Sequence, residues 1–287
     1  MATLHDIKRR IGSVQSTQKI TKAMKMVAAS KLKRAQEAIT TARPYALSMR
    51  DLVNNVALRA DLVTHPLMSA ATPNGKIGVV VVSSDRGLCG AFNSNIVNAT
   101  IEHIQGTFPN KTVELTLVGK KGAELLQRRH DHLGEIYTDI DTADSVHSIA
   151  TDIMSGMSKK YVDGELEAVY CLYNKFNSAI SQEVTLEQLL PFEATEMSEG
   201  ERDTDYLYEP SEEDLFEALL VRHLNIQMHR MICESTASEH GARMTAMESA
   251  TTNAGDMIKS LTLQYNRARQ SAITTELIEV ISGAEAL

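Results

Sequence analysis

The sequence predicts an α/β protein in which a mostly parallel sheet lies, along the chain, between two very long helices. Three observations predict it. Residues 4–56 carry an unbroken heptad seam, residues 211–287 contain no proline, and the stretch between them alternates short apolar β-branched runs with helix-patterned ones.

The first helix opens at Thr3 and Asp6, a plausible N-cap signal. Steps of three and four then pick out Leu4, Ile7, Ile11 and Val14, and later Ala28, Leu32, Ala35, Ile39, Ala42, Ala46, Met49, Val53 and Val56. A seam held this long belongs to a helix packed along another helix, because a surface helix of a globular domain is usually far shorter. Its only polar positions, Gln18, Thr21 and Lys25, are consecutive. In the same window Ile20, Ala23, Met24 and Val27 put apolar groups on a different side, so the helix is expected to be apolar on two faces there. Pro44 disfavours helical geometry at Arg43 and removes a backbone donor, which predicts a kink or break; the seam stays in phase beyond it, which favours a kink.

Strands are expected at Ile77–Val82, Val113–Val118, Glu135–Ile140, Leu166–Tyr173 and Ile180–Leu186, with helices near Asn95–Gln105, Lys121–Arg129 and Ser145–Tyr161. Residues 193–205 are acidic and poorly patterned, and read as an exposed loop. Pro210 and the Ser211-Glu212-Glu213-Asp214 capping pattern then open a helix able to reach the chain end. At about 1.5 Å per residue it would be on the order of 110 Å long. Its stripe includes Met247, Ala250, Ala254, Ile258, Leu261, Tyr265, Ala268 and Ala272, then shifts to Ile273, Leu277, Val280, Ala284 and Leu287. Gly241, Gly255 and Gly283 weaken such a helix, so its continuity must rest on packing. The expected divisions are residues 1–60, 75–192, 193–210 and 211–287.

Composition narrows the function classes. No apolar run approaches the length of a membrane-spanning helix, and the opening MATLHDIKRRIGS lacks a signal-peptide apolar core. Cys89, Cys171 and Cys233 are odd in number and far apart, which suits a reducing compartment better than a disulfide framework. The formal net charge of −8 is unevenly spread: nine Lys or Arg residues and no acid lie between Lys8 and Arg34, and eleven acids with the single Arg202 between Glu193 and Glu217. Such polarisation argues for at least two different partners or environments.

The stretch SSDRGLCG, after the first expected strand, invites a search for chemistry. It matches neither the dinucleotide nor the P-loop fingerprint, and neither does Gly119-Lys120-Lys121-Gly122. Cys89 would need a base, and the nine histidines show no informative spacing. His130-Asp131-His132 lacks a third ligand of comparable spacing. Asp85-Arg86 reads as an ion pair or as side-chain-to-backbone bonding within the turn, and the turn as a rigid one bracketed by Gly87 and Gly90. No cofactor, metal or catalytic residue is therefore expected.

The acid-free basic helix could meet nucleic acid, an anionic membrane or an acidic protein surface. The overall negative charge and the absence of aromatics through residue 44 speak against nucleic acid. The seam already commits the main apolar face to another helix, which speaks against a membrane. An acidic protein surface fits best. An α/β enzyme with helical arms and an adaptor for anionic surfaces remain the alternatives.

Four motifs in order, IGSVQSTQKITKAMKMVAASKLKRAQ, SSDRGLCGAFNSN, YNKFNSAISQ and YNRARQSAITTELIEVISGAEAL, resemble the gamma subunits of F-type ATP synthases, most closely the bacterial form. The resemblance spans the whole chain. It implies a long antiparallel coiled coil of the N- and C-terminal helices plus a Rossmann-like α/β domain, the foot. It implies one copy per complex, inside three alpha and three beta subunits, with the foot binding an epsilon subunit and the c-subunit ring. The implied function is a non-catalytic rotor coupling proton transport to ATP synthesis or hydrolysis, peripheral to the cytoplasmic face of the bacterial inner membrane and associated with it only through the complex.

Residue by residue, the resemblance implies that Met24 and Lys25 face the acidic lever of a beta subunit. Arg269, Gln270 and Thr274 match a polar patch that beta subunits catch, and Arg243 belongs to the same coupling region. Tyr206, Leu207, Tyr208 and Glu209 match the segment that meets the c ring.

Overall fold

The computed structural model describes residues 3–59, 65–69, 75–129, 133–140, 142–194 and 212–285. By packing, the chain divides into Ser30–Ala242 and a second unit of Met1–Ala29 with Arg243–Leu287. Helices α1 (Leu4–Arg59) and α5 (Glu212–Glu285) each contribute to both.

Residues 30–242 hold a five-stranded sheet ordered β3-β2-β1-β4-β5. Its strands are β1 (Lys76–Val82), β2 (Thr112–Val118), β3 (Leu133–Tyr137), β4 (Ala168–Phe176) and β5 (Gln182–Leu190). The first four are parallel, and β5 returns antiparallel to β4. Six of the seven β1 residues are buried, as befits a central strand covered on both faces, which needs a continuous apolar run rather than alternation. Ile77, Val79 and Val81 pack with α2 (Phe92–Gly106) and α3 (Lys120–Leu126). Val80 and Val82 point to the other face, into a core shared by α4 (Ala143–Val162), Met49–Ala57 of α1 and Phe216–Ile232 of α5.

Thr142 caps α4 by a reciprocal capping box with Ser145. The third strand ends earlier than its pattern suggests, because Ile140 is buried from the loop rather than from the ladder. The helix α1 passes through Pro44 without a break in its helical span. Pro44 is exposed, so water can serve the backbone carbonyl that the missing N–H leaves free.

In the other unit, the expected cap is formed: the Asp6 backbone N–H donates to Thr3 Oγ1, and the Thr3 N–H donates to Asp6 Oδ2, each at 3.2 Å. Asp6 is held below its ordinary carboxylate pKa, first by the Thr3 hydroxyl, which donates to Asp6 Oδ2 at 2.8 Å, and then by the Thr3 N–H. Thr21 and Thr251 hydroxyls meet at 2.8 Å, Gln18 Nε2 reaches the Thr251 carbonyl at 3.4 Å, and Lys25 Nζ lies 2.6 Å from Glu248. Rising numbers on α1 thus meet falling numbers on α5, so the two segments run antiparallel. Ile7, Thr21, Ala28, Met247 and Ala254 are buried, and the remaining seam positions of this unit up to Ala272 are half-buried.

The stripe does not continue beyond that. Ile273, Leu277, Val280 and Ala284 are exposed, Val280 at 69%, and Leu287 lies outside the described residues. The register explains the difference: counting back along both helices from the Thr21–Thr251 contact sets Leu4 beside Ala268, so α1 begins too late to cover the last turns of α5.

Candidate functional site

The SSDRGLCG turn is a hydrogen-bonding hub. Ser83 Oγ donates toward the carbonyls of Val118 and Gly119 at 2.9 and 3.1 Å, and accepts the Gly122 N–H at 3.1 Å. A side chain could not be added at either glycine: a Cβ on Gly119, whose φ is +96°, would sit 2.6 Å from the Ser83 carbonyl, and one on Gly122 would sit 2.6 Å from Ser83 Cβ. The two glycines of Gly119-Lys120-Lys121-Gly122 therefore answer to the close approach of Ser83.

Asp85 bonds outward instead of within its own turn. Its Oδ1 accepts the Lys120 N–H at 3.0 Å, and its Oδ2 accepts those of Asp139 and Ile140 at 2.9 and 3.2 Å. One carboxylate thus holds the loops that follow β2 and β3, filling with a side chain the kind of N–H cradle that could take an anion. The left-handed residues of the turn are Leu88 (φ 64°) and Gly90 (φ 60°), so the expected bracket of Gly87 and Gly90 is shifted. A Cβ on Gly87 would meet nothing. Cys89 is 2% exposed, beside Ser84, the Arg86 carbonyl and Asn93, whose Nδ2 lies 3.3 Å from its sulfur. These are hydrogen-bonding partners without the basicity that would make a thiolate. Among the described residues, no group of three His, Cys, Asp or Glu side chains is placed to hold a metal ion. His130-Asp131-His132 lies outside them.

The sequence-derived contact residues fall into two belts on one unit. Met24 and Lys25 are half-buried, with Lys25 tied to Glu248, and Arg243 is half-buried little more than a turn of α5 from that pair. Of the second apolar face expected there, Ile20, Ala23 and Val27 are exposed, Ile20 and Val27 at 59% and 60%, and Met24 is half-buried; Met26, outside that expected set, is 62% exposed. Arg269, Gln270 and Thr274 are exposed about 30 Å further along α5, by its rise per residue, with the Thr274 hydroxyl donating to the Gln270 carbonyl at 2.9 Å. Tyr206, Leu207, Tyr208 and Glu209 lie outside the described residues.

A third feature escaped the sequence reading. In residues 30–242, Arg230 of α5 donates to Glu187 of β5 at 2.8 and 3.0 Å and to Glu234 at 3.2 Å, while the Tyr173 hydroxyl donates to Glu187 at 2.9 Å. Glu234 is 2% exposed, with Arg43 of α1 on its other side at 3.9 Å. Burial pulls the guanidinium pKa down, but Glu187 and Tyr173 outweigh it and hold Arg230 charged. The cluster borders a cavity of about 770 Å³. His223, on the same rim, is pushed down to about 4 by burial and by Arg50 and Arg230. Its members come from α1, β4, β5 and α5, so no local spacing could announce it.

Among the described residues, no helix is long and apolar enough to cross a membrane. A family model described as ATP synthase matches residues 3–287. The chain is similar to an ATP synthase gamma chain of Geobacter metallireducens, 46% identical over 291 residues and covering 100% of this chain and 99% of that one. Another ATP synthase gamma chain, of Anaeromyxobacter dehalogenans, is 47% identical over 291 residues and is covered in full, as is this chain. Among solved structures, a chain of the Tetrahymena thermophila mitochondrial ATP synthase central stalk and c ring aligns with a TM-score of 0.59 and 27% identity, covering 80% of this chain and 99% of that one. A chain of the Euglena gracilis mitochondrial ATP synthase reaches a TM-score of 0.68 over 99% of this chain and 94% of its own; at 19% identity it speaks to the fold alone.

Proposed function

The chain belongs to the ATP synthase family, among its gamma chains, and on that premise we propose that it is the central-stalk rotor of an F-type ATP synthase. In this role it is non-catalytic, and carries torque from an ion-driven ring of c subunits to catalytic beta subunits. The observation that carries the reading is the double facing of α1 around Met24. The seam side chains are covered by α5, yet Ile20, Met26 and Val27 stay exposed on a stretch whose charges are all positive. A surface that is both greasy and cationic suits an acidic sleeve that must hold the shaft and still let it slip.

The polar gap has a role in this reading. Apolar seam contacts are non-directional, whereas the bonds among Gln18, Thr21 and Thr251 fix the register of the two helices. A pair locked in register resists twisting better than one helix. Lys25 spends one of its donors on Glu248, an exposed pair worth about 0–1 kcal/mol, and keeps others for a carboxylate on a passing beta subunit. The Arg269, Gln270 and Thr274 belt would be caught by beta subunits in turn, with Arg243 supporting the Met24 belt. Residues 75–192 would serve as the foot that binds epsilon, and Tyr206 to Glu209 as the contact to the c ring. Membrane association then comes only through the complex, on the cytoplasmic face of a bacterial inner membrane.

Co-expression with alpha and beta chains tests the reading. The expected product contains three alpha chains, three beta chains and one copy of this chain, and the chain alone hydrolyses no ATP. Turnover by the isolated chain that depends on Cys89 or Asp85 would overturn it, and so would retention on anionic vesicles without any association with alpha and beta.

A further inference from the structure

In an open α/β sheet, ligands bind in the crevice beyond the carboxyl ends of the strands, where successive connections leave in opposite directions. Here that point lies between β1 and β4, because the chain runs outward from β1 to β2 and β3 and then returns to the other side of β1. The protein's own helix fills it. Ser235 Oγ donates to the carbonyl of Val82, the last residue of β1, at 3.3 Å. Ser238 Oγ donates to the carbonyl of Asn174 on β4 at 3.0 Å. Both serines are almost wholly buried, at 1% and 0% exposed. Three residues further on, Gly241 passes so close to the β4–β5 hairpin that a Cβ there would lie 3.0 Å from the Ala179 carbonyl oxygen.

Ser235, Ser238 and Gly241 recur every three residues, so they form one stripe of α5 laid against the strand ends. Upstream, Arg230 ties α5 to Glu187, and Phe216, Leu220, Leu224, Met228 and Ile232 turn the apolar side of the helix to the sheet, contacts that repel water but select no sharp angle of rotation about its axis. A hydrogen bond does prefer one. We propose that Ser235 and Ser238 are positioning residues that set the rotational angle of α5 on the sheet, making the crevice that the helix occupies a keyway through which the foot drives the shaft. This rests on the rotor reading. It gives the ends of β1 and β4 a mechanical task in place of a chemical one.

The test uses the complete complex in sealed vesicles, with the double variant Ser235→Ala/Ser238→Ala and both single variants. ATP hydrolysis and ATP-driven ion pumping are measured together at rising opposing ion gradients. At zero gradient the variants pump as many ions per ATP as the unaltered complex. Against the steepest gradient, slipped steps per ATP rise roughly 5- to 30-fold in the double variant, the change in an equilibrium that losing two modest bonds produces, and by less in the single variants. Reduced assembly alone would lower both rates together at every gradient. Where the double variant fails to assemble, the single variants carry the test. Load dependence identical to that of the unaltered complex overturns the proposal. An unaltered chain that neither assembles nor pumps would instead refute the rotor reading.

Discussion

Replacing Asp85 tests whether the SSDRGLCG turn is a clamp. Its carboxylate accepts three backbone N–H groups, from Lys120, Asp139 and Ile140, at 2.9–3.2 Å. A hydrogen bond to a charged group contributes about 1.5–3 kcal/mol net, but the bonds to Lys120 and Asp139 are exposed, and water can replace much of each. The bond to Ile140 is half-buried and retains more of its value. Asp85→Ala should therefore cost about 2–3 kcal/mol. Asp85→Asn keeps one oxygen, which can serve Asp139 and Ile140, while its amide turns toward the Lys120 N–H as donor against donor; the loss should be about 1 kcal/mol. Urea unfolding of the chain gives the totals, and amide hydrogen exchange gives their location. Exchange should quicken at residues 119–122 and 138–140 and remain unchanged in α5. An Asp85→Ala chain within about 0.5 kcal/mol of the original, with those amides still protected, would refute the clamp. Equal losses in the two variants would show that charge rather than acceptor geometry holds the loops.

Other consequences are equally open to measurement. Arg230→Met leaves Glu187 and the buried Glu234 without their main cation and should destabilise residues 30–242 by about 3–5 kcal/mol in chemical unfolding. His223 favours its neutral form when folded, with a pKa of about 4, so the unfolded chain binds more protons below its ordinary value near 6.5. Stability is then lost as pH falls from about 6.5 toward 4, by up to about 3 kcal/mol, and His223→Phe should flatten that part of the pH profile of unfolding. Met24→Lys sets a second cation beside Lys25 and should hold an acidic beta lever too tightly: ATP-driven pumping per ATP should fall while assembly is unchanged, and unchanged pumping would remove Met24 from the contact.

What the sequence discloses here follows the range of the physics. A heptad seam is a local statement about which side of a helix is dry, and in residues 30–56 it maps directly onto buried Leu32, Ile39, Ala46, Met49, Val53 and Val56. The continuous run at β1 likewise discloses a strand covered on both faces. Periodicity does not disclose whether a partner is long enough, and so the stripe on α5 was legible to Ala272 and misleading at Ile273, Leu277 and Val280. The partners of Asp85 lie 35 to 55 residues away, and those of Ser235 and Ser238 lie 153 and 64 residues away. Such bonds join main-chain groups that every residue carries, so no residue type marks the far end. Asp85 was singled out as a bonding residue, and only its direction escaped. Ser235 and Ser238 left no signal beyond being small and polar on a long helix.

The uncovered last turns of α5 have a consequence for the cell's accounting of this protein. A newly made copy exposes Leu277, Ile278, Val280 and Ile281, each more than half accessible, on a helix end that no other described residue shields. Such a tip invites chaperones, proteases and other copies of itself until a sheath closes over it. Unassembled copies should therefore be short-lived, and the supply of sheath would meter the supply of shaft without any dedicated regulator.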